Sequence, residues 1–463
     1  MALRSLTLPP LSPVAAPKKP AAVYAAVQSL TLSVYGAILN CQTQEKPVVK
    51  RRSNKPAGIV SPTPDTSSPL SPVPQKKVLV PIGFGTEEME AVIMIDVLRR
   101  SGAHVTVASV EEQLEVEAAG GTRLVADAFI SACSDQTFDL VALPGGMPGS
   151  ARLRDCQVLR DISITTKQAE AKRLYAAICA APAVALLPWG LLKRKQITCH
   201  PAFMDKLPTF WSVKSNLQIS GELTTSRGPG TCFEFSMSLV EQLFGELVTE
   251  EIAATLLLNA ADGNSRKEEF NEVSWLSDHP PQVLIPIANG CEEIEVVTVV
   301  DILRRAKANV VVASVEKSLK VVASSGTKIM ADKAIGAVAD SVHDLIILPG
   351  GTLGVERLQR SRIVKKMLKE QQLSGRILGA ICSSPTILQK QGLLKGKKAT
   401  AHPSVMSMLD DAVSGVRVVI DGKMITGRGL ATATDFGLAI VGKLFGSARA
   451  RSVAEGLVFE YPR

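Results

Sequence analysis

The sequence predicts an α/β protein with two tandem domains, each a mostly parallel sheet covered by helices on both faces. Two observations lead to this prediction. The 463-residue chain repeats itself, because the segment that starts at Val78 recurs 205 residues later at Val283. Within each copy, short β-branched runs alternate with apolar residues at helical spacing, which is typical of parallel sheets with helices on both faces. An internal repeat outweighs weaker local signals, so the two halves are expected to share one fold.

The first predicted elements are a strand, a helix and a second strand. VLVPI and its copy VLIPI have the composition of a buried strand. Four apolar residues then follow at helical spacing: Met89, Val92, Ile93 and Val97. Gly102 ends that helix, and HVTVASV, DLVALPGG and LYAAIC predict the next strands. Parallel sheets bind ligands beyond the carboxyl ends of their strands, so residues that directly follow a strand are the candidates for a site.

The repeat also sets the predicted domain boundaries. The two domains span 77–262 and 282–463, and the polar segment 263–281 between them is predicted to be a linker. Before the first domain, residues 1–55 are predicted to be a transit peptide. Residues 56–76 are rich in Pro and Ser and are predicted to form a stiff, extended linker.

The basic charge of the chain lies in its leader. Residues 1–77 hold ten Lys or Arg against Glu45 and Asp65, and the whole chain has a net charge of +8, so the remaining residues are neutral overall. A neutral body argues against a general nucleic-acid surface. The first 44 residues lack acidic side chains and are rich in Ala, Ser, Thr, Leu and Pro. This composition favours a chloroplast transit peptide, because Ser and Pro are abundant while Arg is scarce; a disordered tail is the alternative.

One apolar stretch has the length of a transmembrane helix. Residues 174–192 carry no charge and could span a bilayer. The stretch contains Pro182, Pro188 and Gly190, however, and these residues break helices. We therefore predict a buried strand followed by a buried helix, in a soluble body that does not bind membranes.

A cysteine stands at the same strand end in both halves. Cys179 follows LYAAI and Cys382 follows ILGAI, and a helical pattern comes directly after each. A residue on such a strand-to-helix turn is held in a tight geometry, as in the nucleophile turn of hydrolases. Amides at the start of the next helix favour a thiolate, so the pKa of both thiols is expected to be lowered. The alternative is a small buried packing residue, which the recurrence in both halves disfavours.

A glutamate after the first strand is the predicted partner of each cysteine. Glu90 and Glu295 lie in the first helical turn, next to apolar residues that face the core. Burial beside a thiolate would raise the pKa of such a carboxyl and let it donate a proton. The neighbouring glutamates are interpreted as ordinary charges at a helix N-terminus, which the helix dipole stabilises. They are Glu87, Glu88, Glu292 and Glu293.

Two further features recur after strands. His200 and His402 each precede a proline, and each is either the base of a Cys–His pair or a structural histidine, with equal weight. A metal site at Cys199 and its neighbour is disfavoured, because no third ligand stands at a suitable spacing. The PGG turns at 144–146 and 349–351 offer backbone N–H groups, as in an oxyanion hole, or are plain tight turns.

These motifs together resemble the DJ-1/PfpI superfamily. EEMEAV, LPGG, AAICAAP, CHP and SRGPGT carry the resemblance, which covers nearly all of 77–463. The tandem arrangement behind a leader resembles the plastid-targeted plant members of that superfamily. The resemblance implies two flavodoxin-like domains, dimers, and glyoxalase or deglycase chemistry on methylglyoxal-type dicarbonyls. It implies that this chemistry needs neither a cofactor nor a metal.

The resemblance also implies which residues form the site. The implied catalytic residues are Cys179, Glu90 and His200 in the first half and Cys382, Glu295 and His402 in the second. The implied oxyanion residues are Gly146, Ala180, Gly351 and Ser383. The cysteine of this superfamily is readily oxidised, so the resemblance implies a redox-sensing role as well.

The chain departs from the superfamily pattern close to the cysteine. The second residue after the cysteine is commonly Gly, but here it is Ala181 or Ser384, which is expected to bring a side chain to the pocket mouth. The second half also has Leu430 and Ala431 where the first half keeps the common Pro-Gly pair. These changes support a second hypothesis, a non-enzymatic redox-responsive or chaperone-like factor needed for chloroplast function or development. A peptidase or amidotransferase is a third Cys–His option, which no ATP site or partner motif supports.

The duplication predicts that the two halves pack as a built-in pseudo-dimer. Four arginines are expected near that interface: Arg99, Arg100, Arg304 and Arg305. The expected partner is a small dicarbonyl substrate, and further assembly into a homo-oligomer stays open.

Overall fold

The β-branched runs of the sequence form the central strands of two sheets in a computed structural model, which describes residues 75–164, 168–258 and 267–461. These residues belong to one compact unit that spans 72–463. The predicted transit peptide over 1–55 lies outside the described residues, as does all but the end of the predicted linker over 56–76.

The elements of the first half follow the predicted alternation. Its strands are β1 (Lys77–Ile82), β2 (His104–Ser109), β3 (Glu115–Glu117), β4 (Arg123–Val125), β5 (Ala128–Phe129), β6 (Leu140–Leu143), β7 (Leu174–Ile178), β8 (Leu217–Ser220) and β9 (Leu223–Ser226). Its helices are α1 (Glu88–Arg100), α2 (Gly149–Asp155), α3 (Gln157–Ile164), α4 (Cys232–Phe244) and α5 (Glu246–Thr255). Short helical turns cover Ile130–Cys133, Pro182–Leu186, Pro201–Lys206 and Pro229–Thr231.

The second half repeats this order. Its strands are β10 (Lys267–Phe270), β11 (Gln282–Ile287), β12 (Asn309–Ser314), β13 (Lys320–Val322), β14 (Lys328–Met330), β15 (Lys333–Ala334), β16 (Leu345–Leu348), β17 (Ile377–Ile381), β18 (Val418–Asp421) and β19 (Met424–Gly427). Its helices are α6 (Glu293–Arg305), α7 (Thr352–Arg360), α8 (Arg362–Leu373), α9 (Pro385–Lys390), α10 (Ala433–Phe445) and α11 (Ser447–Gly456). Short helical turns cover Ile335–Val338, Pro403–Met408 and Leu430–Thr432.

Each half contains one large sheet whose neighbouring strands are parallel except at one hairpin. The strand order is β5-β2-β1-β6-β7-β9-β8 in the first half and β10-β18-β19-β17-β16-β11-β12-β15 in the second. The hairpins are β8–β9 and β18–β19. Side chains of β1 alternate between two apolar clusters, since Val78 and Val80 join one and Leu79 the other. The sheet is therefore covered on both faces, and the predicted flavodoxin-like α/β class is confirmed for both halves.

A small sheet joins the two halves. Its strand order is β13-β14-β4-β3, and β14 pairs antiparallel with β4, so that Ile329 lies opposite Leu124. Helices α1 and α6 also pack against each other. Their C-terminal arginines cross the interface, where Arg100 binds Glu292 at 2.6 Å and Arg305 binds Glu87 at 2.7 Å. The other two arginines donate across the same interface, Arg99 to the Ser325 carbonyl and Arg304 to the Gly120 carbonyl, each at 3.2 Å. All four arginines therefore lie at the interface between the two halves, as predicted.

The segment predicted as a linker, 263–281, contains a strand. Its described part includes β10, which pairs in parallel with β18 at the edge of the second sheet. Trp275 then packs in the core, and its indole N–H donates to the Gly422 carbonyl at 2.8 Å. The sequence KEEF has no apolar alternation, and an exposed edge strand does not need one, so this strand carried no sequence signal.

The uncharged stretch 174–192 forms β7 and the helical turn Pro182–Leu186, whose residues are buried. The predicted buried strand and helix are thus confirmed. Among the helices that the structure describes, none is long and apolar enough to cross a membrane.

Candidate active site

Both cysteines occupy the same strained turn. Cys179 directly follows β7 and Cys382 directly follows β17, and each has a φ of +63°. A non-glycine residue in that region carries a strain of about 1–3 kcal/mol, which is common where the backbone must present a side chain. The turn is fixed by the next strand, because the Cys179 amide donates to the Ser226 carbonyl at 3.0 Å and the Cys382 amide to the Gly427 carbonyl at 2.9 Å. The predicted strand-to-helix geometry is confirmed in both halves.

The predicted glutamate lies against the thiol in the first half. The Gly145 amide donates to Glu90 Oε2 at 2.7 Å, while Glu90 Oε1 is buried and has no partner among the described residues. A Cβ on Gly145 would lie 2.5 Å from Cys179 Cβ, 2.8 Å from Glu90 Oε2 and 3.0 Å from Cys179 Sγ. Only glycine leaves room there, and the Cys179 thiol hydrogen-bonds to the Glu90 carboxyl, so the thiol and the Gly145 amide both contact that carboxyl.

The second half repeats this contact closely. The Gly350 amide donates to Glu295 Oε2 at 2.7 Å, and Glu295 Oε1 is likewise buried without a partner in the described part of the chain. A Cβ on Gly350 would lie 2.5 Å from Cys382 Cβ and 2.9 Å from Cys382 Sγ. The duplication has therefore preserved the geometry of the reacting groups.

Burial controls the protonation of both pairs. It raises the pKa of Glu90 to about 7 and, together with Glu292, the pKa of Glu295 to about 8. Burial and then the adjacent carboxyl also raise the pKa of the Cys179 and Cys382 thiols well above the usual value. The prediction that backbone amides lower the thiol pKa is therefore wrong, because burial raises the pKa by more than one amide at each site lowers it.

The amides that oppose this rise differ between the halves. The Gly146 amide lowers the pKa of the Cys179 thiol, and the Ser383 amide lowers that of the Cys382 thiol. Gly146 adopts a φ of +90° and Gly351 a φ of +94°. These two are the second glycines of the PGG turns, and their conformation suits a glycine that turns its amide toward a ligand.

The two histidines lie beside the cysteine turn but cap a helix. The His200 amide donates to the Cys179 carbonyl and the His402 amide to the Cys382 carbonyl, both at 2.8 Å. Nδ1 of His200 accepts from the Ala202 amide and Nδ1 of His402 from the Ser404 amide, both at 3.2 Å. Nδ1 is therefore an acceptor in each ring, which leaves the proton on Nε2. Burial lowers the pKa of both rings, so both are neutral at pH 7.

The cavity above Cys179 is shared between the halves. It has a volume of about 170 Å³, and its lining includes Gly146, Ala180 and His200. Two lining residues come from the second half, Arg305 and Gly456. Because the Gly230 amide also donates to the Leu457 carbonyl at 2.7 Å, the C-terminal end of the chain holds the loop beside this site.

The first half likewise contributes residues to the Cys382 site of the second half. The Ala431 amide of the second half donates to the Leu256 carbonyl of the first at 3.3 Å. A Cβ on Gly429 would lie 3.4 Å from Leu257 Cδ1, 3.5 Å from His402 Cδ2 and 4.0 Å from Cys382 Sγ. Leu257 therefore stands at the Cys382 site, although it belongs to the first half.

The four glutamates interpreted as helix-terminal charges do lie at helix N-termini, but they also have specific partners that the sequence did not predict. Glu87 accepts from the Glu90 amide at 2.7 Å and binds Arg305, so it connects the opposite half to the backbone of the residue that bears the reacting carboxyl. Glu292 holds the corresponding place beside Arg100. Glu88 and Glu293 are buried as well and accept backbone amides of the loops at 120–122 and 325–327. The only signal in the sequence was the repeated Arg-Arg pair at the end of each first helix.

The departures after the cysteine do not lie at the pocket mouth. Ala181 and Ser384 are fully buried. The Ser384 hydroxyl donates to the Leu348 carbonyl at 2.6 Å and accepts from the Ile381 amide at 2.9 Å, so it ties β17 to β16. The expectation that these side chains enter the pocket is therefore wrong. The turn at each cysteine directs the side chain two residues later toward the sheet.

Cys199 faces protein atoms and not a second set of ligands, since its Sγ lies 3.6 Å from Met204 Sδ. Within the described residues, no group of three or more His, Cys, Asp or Glu side chains could hold a metal ion.

Comparison with known proteins gives the same assignment to both halves. Residues 76–242 and 281–443 match the DJ-1/PfpI family. The chain is 48% identical over 375 residues to the protein DJ-1 homolog B of Arabidopsis thaliana, which covers 80% of this chain and 85% of that protein. It is also 48% identical over 381 residues to the protein DJ-1 homolog A of the same plant, covering 81% of this chain and 96% of that protein.

Single-domain relatives match one half at a time. The glutathione-independent glyoxalase DJR-1.2 of Caenorhabditis elegans is 33% identical over 178 residues, which are 38% of this chain and 94% of that protein. The structure of oxidized Toxoplasma gondii DJ-1 matches with 42% identity and a TM-score of 0.39, covering 39% of this chain and 98% of that one. With both halves matched and the two plant relatives aligned over most of their length, the chain belongs to the DJ-1/PfpI family.

Proposed function

We propose that each half converts methylglyoxal-like dicarbonyls to hydroxy acids without a cofactor, in the manner of a glyoxalase. The observation that carries this proposal is the contact of a cysteine on a strained turn, a buried carboxyl with a raised pKa and a backbone amide, repeated at Cys179 and Cys382. A glyoxalase among the relatives, that of Caenorhabditis elegans, supports the reaction class.

The first step joins the thiol to the aldehyde. The sulfur of Cys179 adds to the aldehyde carbon while its proton passes to the Glu90 carboxylate. A C–S bond forms, the π electrons move to the oxygen, and Glu90 returns the proton to that oxygen. The product is a hemithioacetal. Backbone amides at Gly146 and Ala180 stabilise the charge that develops on the oxygen. Gly351 and Ser383 have this role beside Cys382 and Glu295.

The next steps move two protons and add one water. The Glu90 carboxylate takes the hydrogen of the former aldehyde carbon as a proton and returns it to the neighbouring carbon, while the hydroxyl proton of the first carbon passes to the ketone oxygen, so that the ketone becomes an alcohol. The first carbon is thereby oxidised to a thioester and the second is reduced, so no external oxidant is needed. Water then cleaves the thioester, and methylglyoxal plus water gives lactate plus the free thiol. His200 and His402 pass protons through Nε2, because Nδ1 is held by a backbone amide.

The test is lactate formation from methylglyoxal by the full chain. We expect Cys179→Ser and Cys382→Ser each to remove the activity of one site, and the double variant to lose at least about a hundredfold of the total rate, because the nucleophile is gone. Cys156→Ser, which changes a cysteine that does not line the cavity above Cys179, should retain the wild-type rate. A double variant that still forms lactate at the wild-type rate would refute the proposal.

A second candidate function is a redox-responsive protein. It is favoured by the orphaned Oε1 atoms of Glu90 and Glu295, because a protonated carboxyl beside a thiol can donate to an oxygen added to the sulfur. Mild peroxide followed by mass spectrometry of the peptides tests it. Cys179 and Cys382 should oxidise faster than Cys133 and Cys156, and equal rates would remove this candidate.

We also propose that the protein works in the plastid. The acid-poor, Ser- and Pro-rich composition of residues 1–55 supports this location. A fluorescent protein fused behind residues 1–77 should enter chloroplasts of plant cells, whereas a fusion that lacks the leader should stay in the cytosol. Cytosolic fluorescence from the first fusion would contradict the proposal.

A further inference from the structure

The two sites share their reacting groups but differ in the side chains around them. Four residues that line the Cys179 site have no hydroxyl group: Ala119, Met147, Ala180 and Gly456. The repeat places a hydroxyl residue at each equivalent position of the second site: Ser324, Thr352, Ser383 and Thr255. Four substitutions in the same chemical direction, around an unchanged cysteine and glutamate, indicate a change in what the lining contacts.

Two of these hydroxyls are already engaged. The Ser324 hydroxyl donates to Glu293 Oε2 at 2.8 Å, and the Thr255 hydroxyl donates to the Glu251 carbonyl at 3.0 Å. The Ser383 hydroxyl is different, because its oxygen is buried and has no hydrogen-bond partner among the described residues. A buried hydroxyl without a partner is destabilising unless a ligand or water completes its hydrogen bonds.

Ser383 is also in the right place to meet a substrate. It directly follows Cys382, and its amide already acts on the thiol. The equivalent residue of the first half, Ala180, lines the cavity above Cys179. A substrate carbon bound to the cysteine sulfur would therefore lie next to the position at which one site has a methyl group and the other a hydroxyl.

We propose that the two sites have diverged in substrate polarity, so that the Cys382 site takes 2-oxoaldehydes bearing a hydroxyl beside the ketone and the Cys179 site takes those with a hydrocarbon substituent. Ser383 is the residue that distinguishes them. This inference rests on the proposed glyoxalase function and names the substrate class of each site.

The expected discrimination is unequal. A site built to pair a hydroxyl rejects an analogue that lacks it, because the polar group of the site is then left unpaired. An apolar pocket cannot strongly reject an added hydroxyl. The Cys382 site should therefore be the more selective of the two.

The experiment uses the full chain with one working cysteine at a time. Cys382→Ser leaves the first site and Cys179→Ser leaves the second, and kcat/KM is measured for methylglyoxal and for 3-hydroxy-2-oxopropanal. The ratio of the two values should favour the hydroxylated aldehyde at the second site by about tenfold over the first, as expected for one hydrogen bond to a buried hydroxyl. Equal ratios at the two sites would overturn the inference.

Reciprocal substitutions test the residue itself. In the Cys179→Ser chain, Ser383→Ala should remove the preference by lowering kcat/KM for the hydroxylated aldehyde alone. In the Cys382→Ser chain, Ala180→Ser should raise it. Ser384→Ala is the matched control, since that hydroxyl bonds to strand backbone, and its ratio should equal that of the parent. A ratio that Ser383→Ala leaves unchanged, or that Ser384→Ala shifts equally, would assign the difference elsewhere.

A second measurement separates this inference from the proposed function. Both aldehydes form hemithioacetals reversibly, so each should protect a cysteine from iodoacetamide without any turnover. Peptide mass spectrometry of the wild-type chain should show Cys382 better protected by the hydroxylated aldehyde than by methylglyoxal, and Cys179 protected to a similar extent by both. If lactate formation is absent but this pattern holds, the proposed reaction fails and the inference stands. Equal protection of both cysteines by both aldehydes would overturn the inference.

Discussion

The two halves of the chain have the same reacting groups but different side chains in the lining that a substrate would contact. Cys179 and Cys382 have the same φ of +63°, and the hydrogen bond from the glycine amide to the glutamate carboxyl is 2.7 Å in both halves. By contrast, Ala180 faces the first cavity where Ser383 stands at the second site. After a duplication, groups in van der Waals contact cannot change singly without a clash, whereas lining side chains can. The two halves therefore show which parts of the site are fixed by packing and which are open to divergence.

The largest expected effect tests the part that is fixed. Gly350→Ala places a Cβ 2.5 Å from Cys382 Cβ, against a strained backbone turn that cannot move away. We expect the Cys382 site to lose at least about a hundredfold in kcat/KM, since a displacement of 1 Å costs that much in catalysis. The measurement is dicarbonyl turnover in the Cys179→Ser chain. Gly145→Ala should do the same to the first site.

Gly336→Ala is the matched control for that substitution. A Cβ there meets no atom closer than 4.0 Å, so turnover and thermal stability should stay close to wild type. If Gly350→Ala retained full activity, the close contact of thiol, carboxyl and amide would not be required.

The second prediction concerns the protonation of the buried carboxyls. The pKa of Glu295 is raised to about 8 by burial, so the folded chain holds a proton there that the unfolded chain releases near its ordinary pKa. Stability from this residue therefore falls as the pH rises through the interval between the two values, and it is constant above the folded pKa. Glu295→Gln removes this loss, by at most about 1.4 kcal/mol for each pH unit within the interval.

Thermal unfolding from pH 5 to pH 8 measures that effect. The stability gained by Glu295→Gln should be small at pH 5 and grow toward pH 8. Glu90→Gln should stop gaining earlier, because burial raises its pKa only to about 7. Glu370→Gln, at an exposed carboxyl on α8, should show no such trend. A gain that is the same at every pH would mean that Glu295 is ionised in the folded chain.

Contacts within one sheet could be predicted from the sequence more readily than contacts between the two halves. The pairing of Cys179 with Glu90 could be predicted because both residues follow strands of one sheet, and strand ends of a parallel sheet converge. The repeat then supplied an independent second example at Cys382 and Glu295. Strand β10 was missed, since an edge strand with the sequence KEEF shows no apolar periodicity.

Contacts between the halves were harder to predict. The arginines were placed at the interface, but the sequence does not show that Arg305 reaches the cavity of the opposite half or that Glu87 is its buried partner. Which side of the turn Ser384 faces depends on the positive φ of Cys382, and no composition signal reports a single dihedral angle. The roles of these residues depend on tertiary contacts, which a local sequence pattern does not show.

The third prediction tests whether each site depends on the opposite half. Arg305→Met removes the cation that binds Glu87 at 2.7 Å, and Glu87 in turn accepts from the Glu90 amide. We expect kcat/KM at the Cys179 site to fall by about tenfold, because the buried carboxylate loses its counter-charge. Arg305 also binds Asp301 of its own half at 2.6 Å, but neither residue is among the main groups that act on Glu295 or Cys382, so the Cys382 site should change by less than about twofold.

Two comparisons check that crossed effect. Arg100→Met should reverse it and reduce the Cys382 site, because Arg100 binds Glu292. Arg304→Met removes a neighbouring interface arginine that pairs with Asp332 at 3.0 Å, so both sites should keep their activity. If Arg305→Met lowered the two sites equally, general loosening of the interface would account for the result.

The smallest effect tests a position that looked functional in the sequence and is structural in the fold. Ser384→Ala removes a hydroxyl that bonds the Leu348 carbonyl at 2.6 Å and the Ile381 amide at 2.9 Å between two central strands. We expect a loss of about 1 kcal/mol in the free energy of unfolding, measured by urea denaturation, with dicarbonyl turnover unchanged. Ala181→Ser supplies the reverse experiment, and it should leave turnover at the Cys179 site unchanged because that side chain is fully buried. A change in turnover without a change in stability for either variant would put this position at the pocket after all. Together the two variants decide whether the residue that replaces glycine after the cysteine affects turnover. The buried hydroxyl indicates instead that it stabilises the strands next to the site.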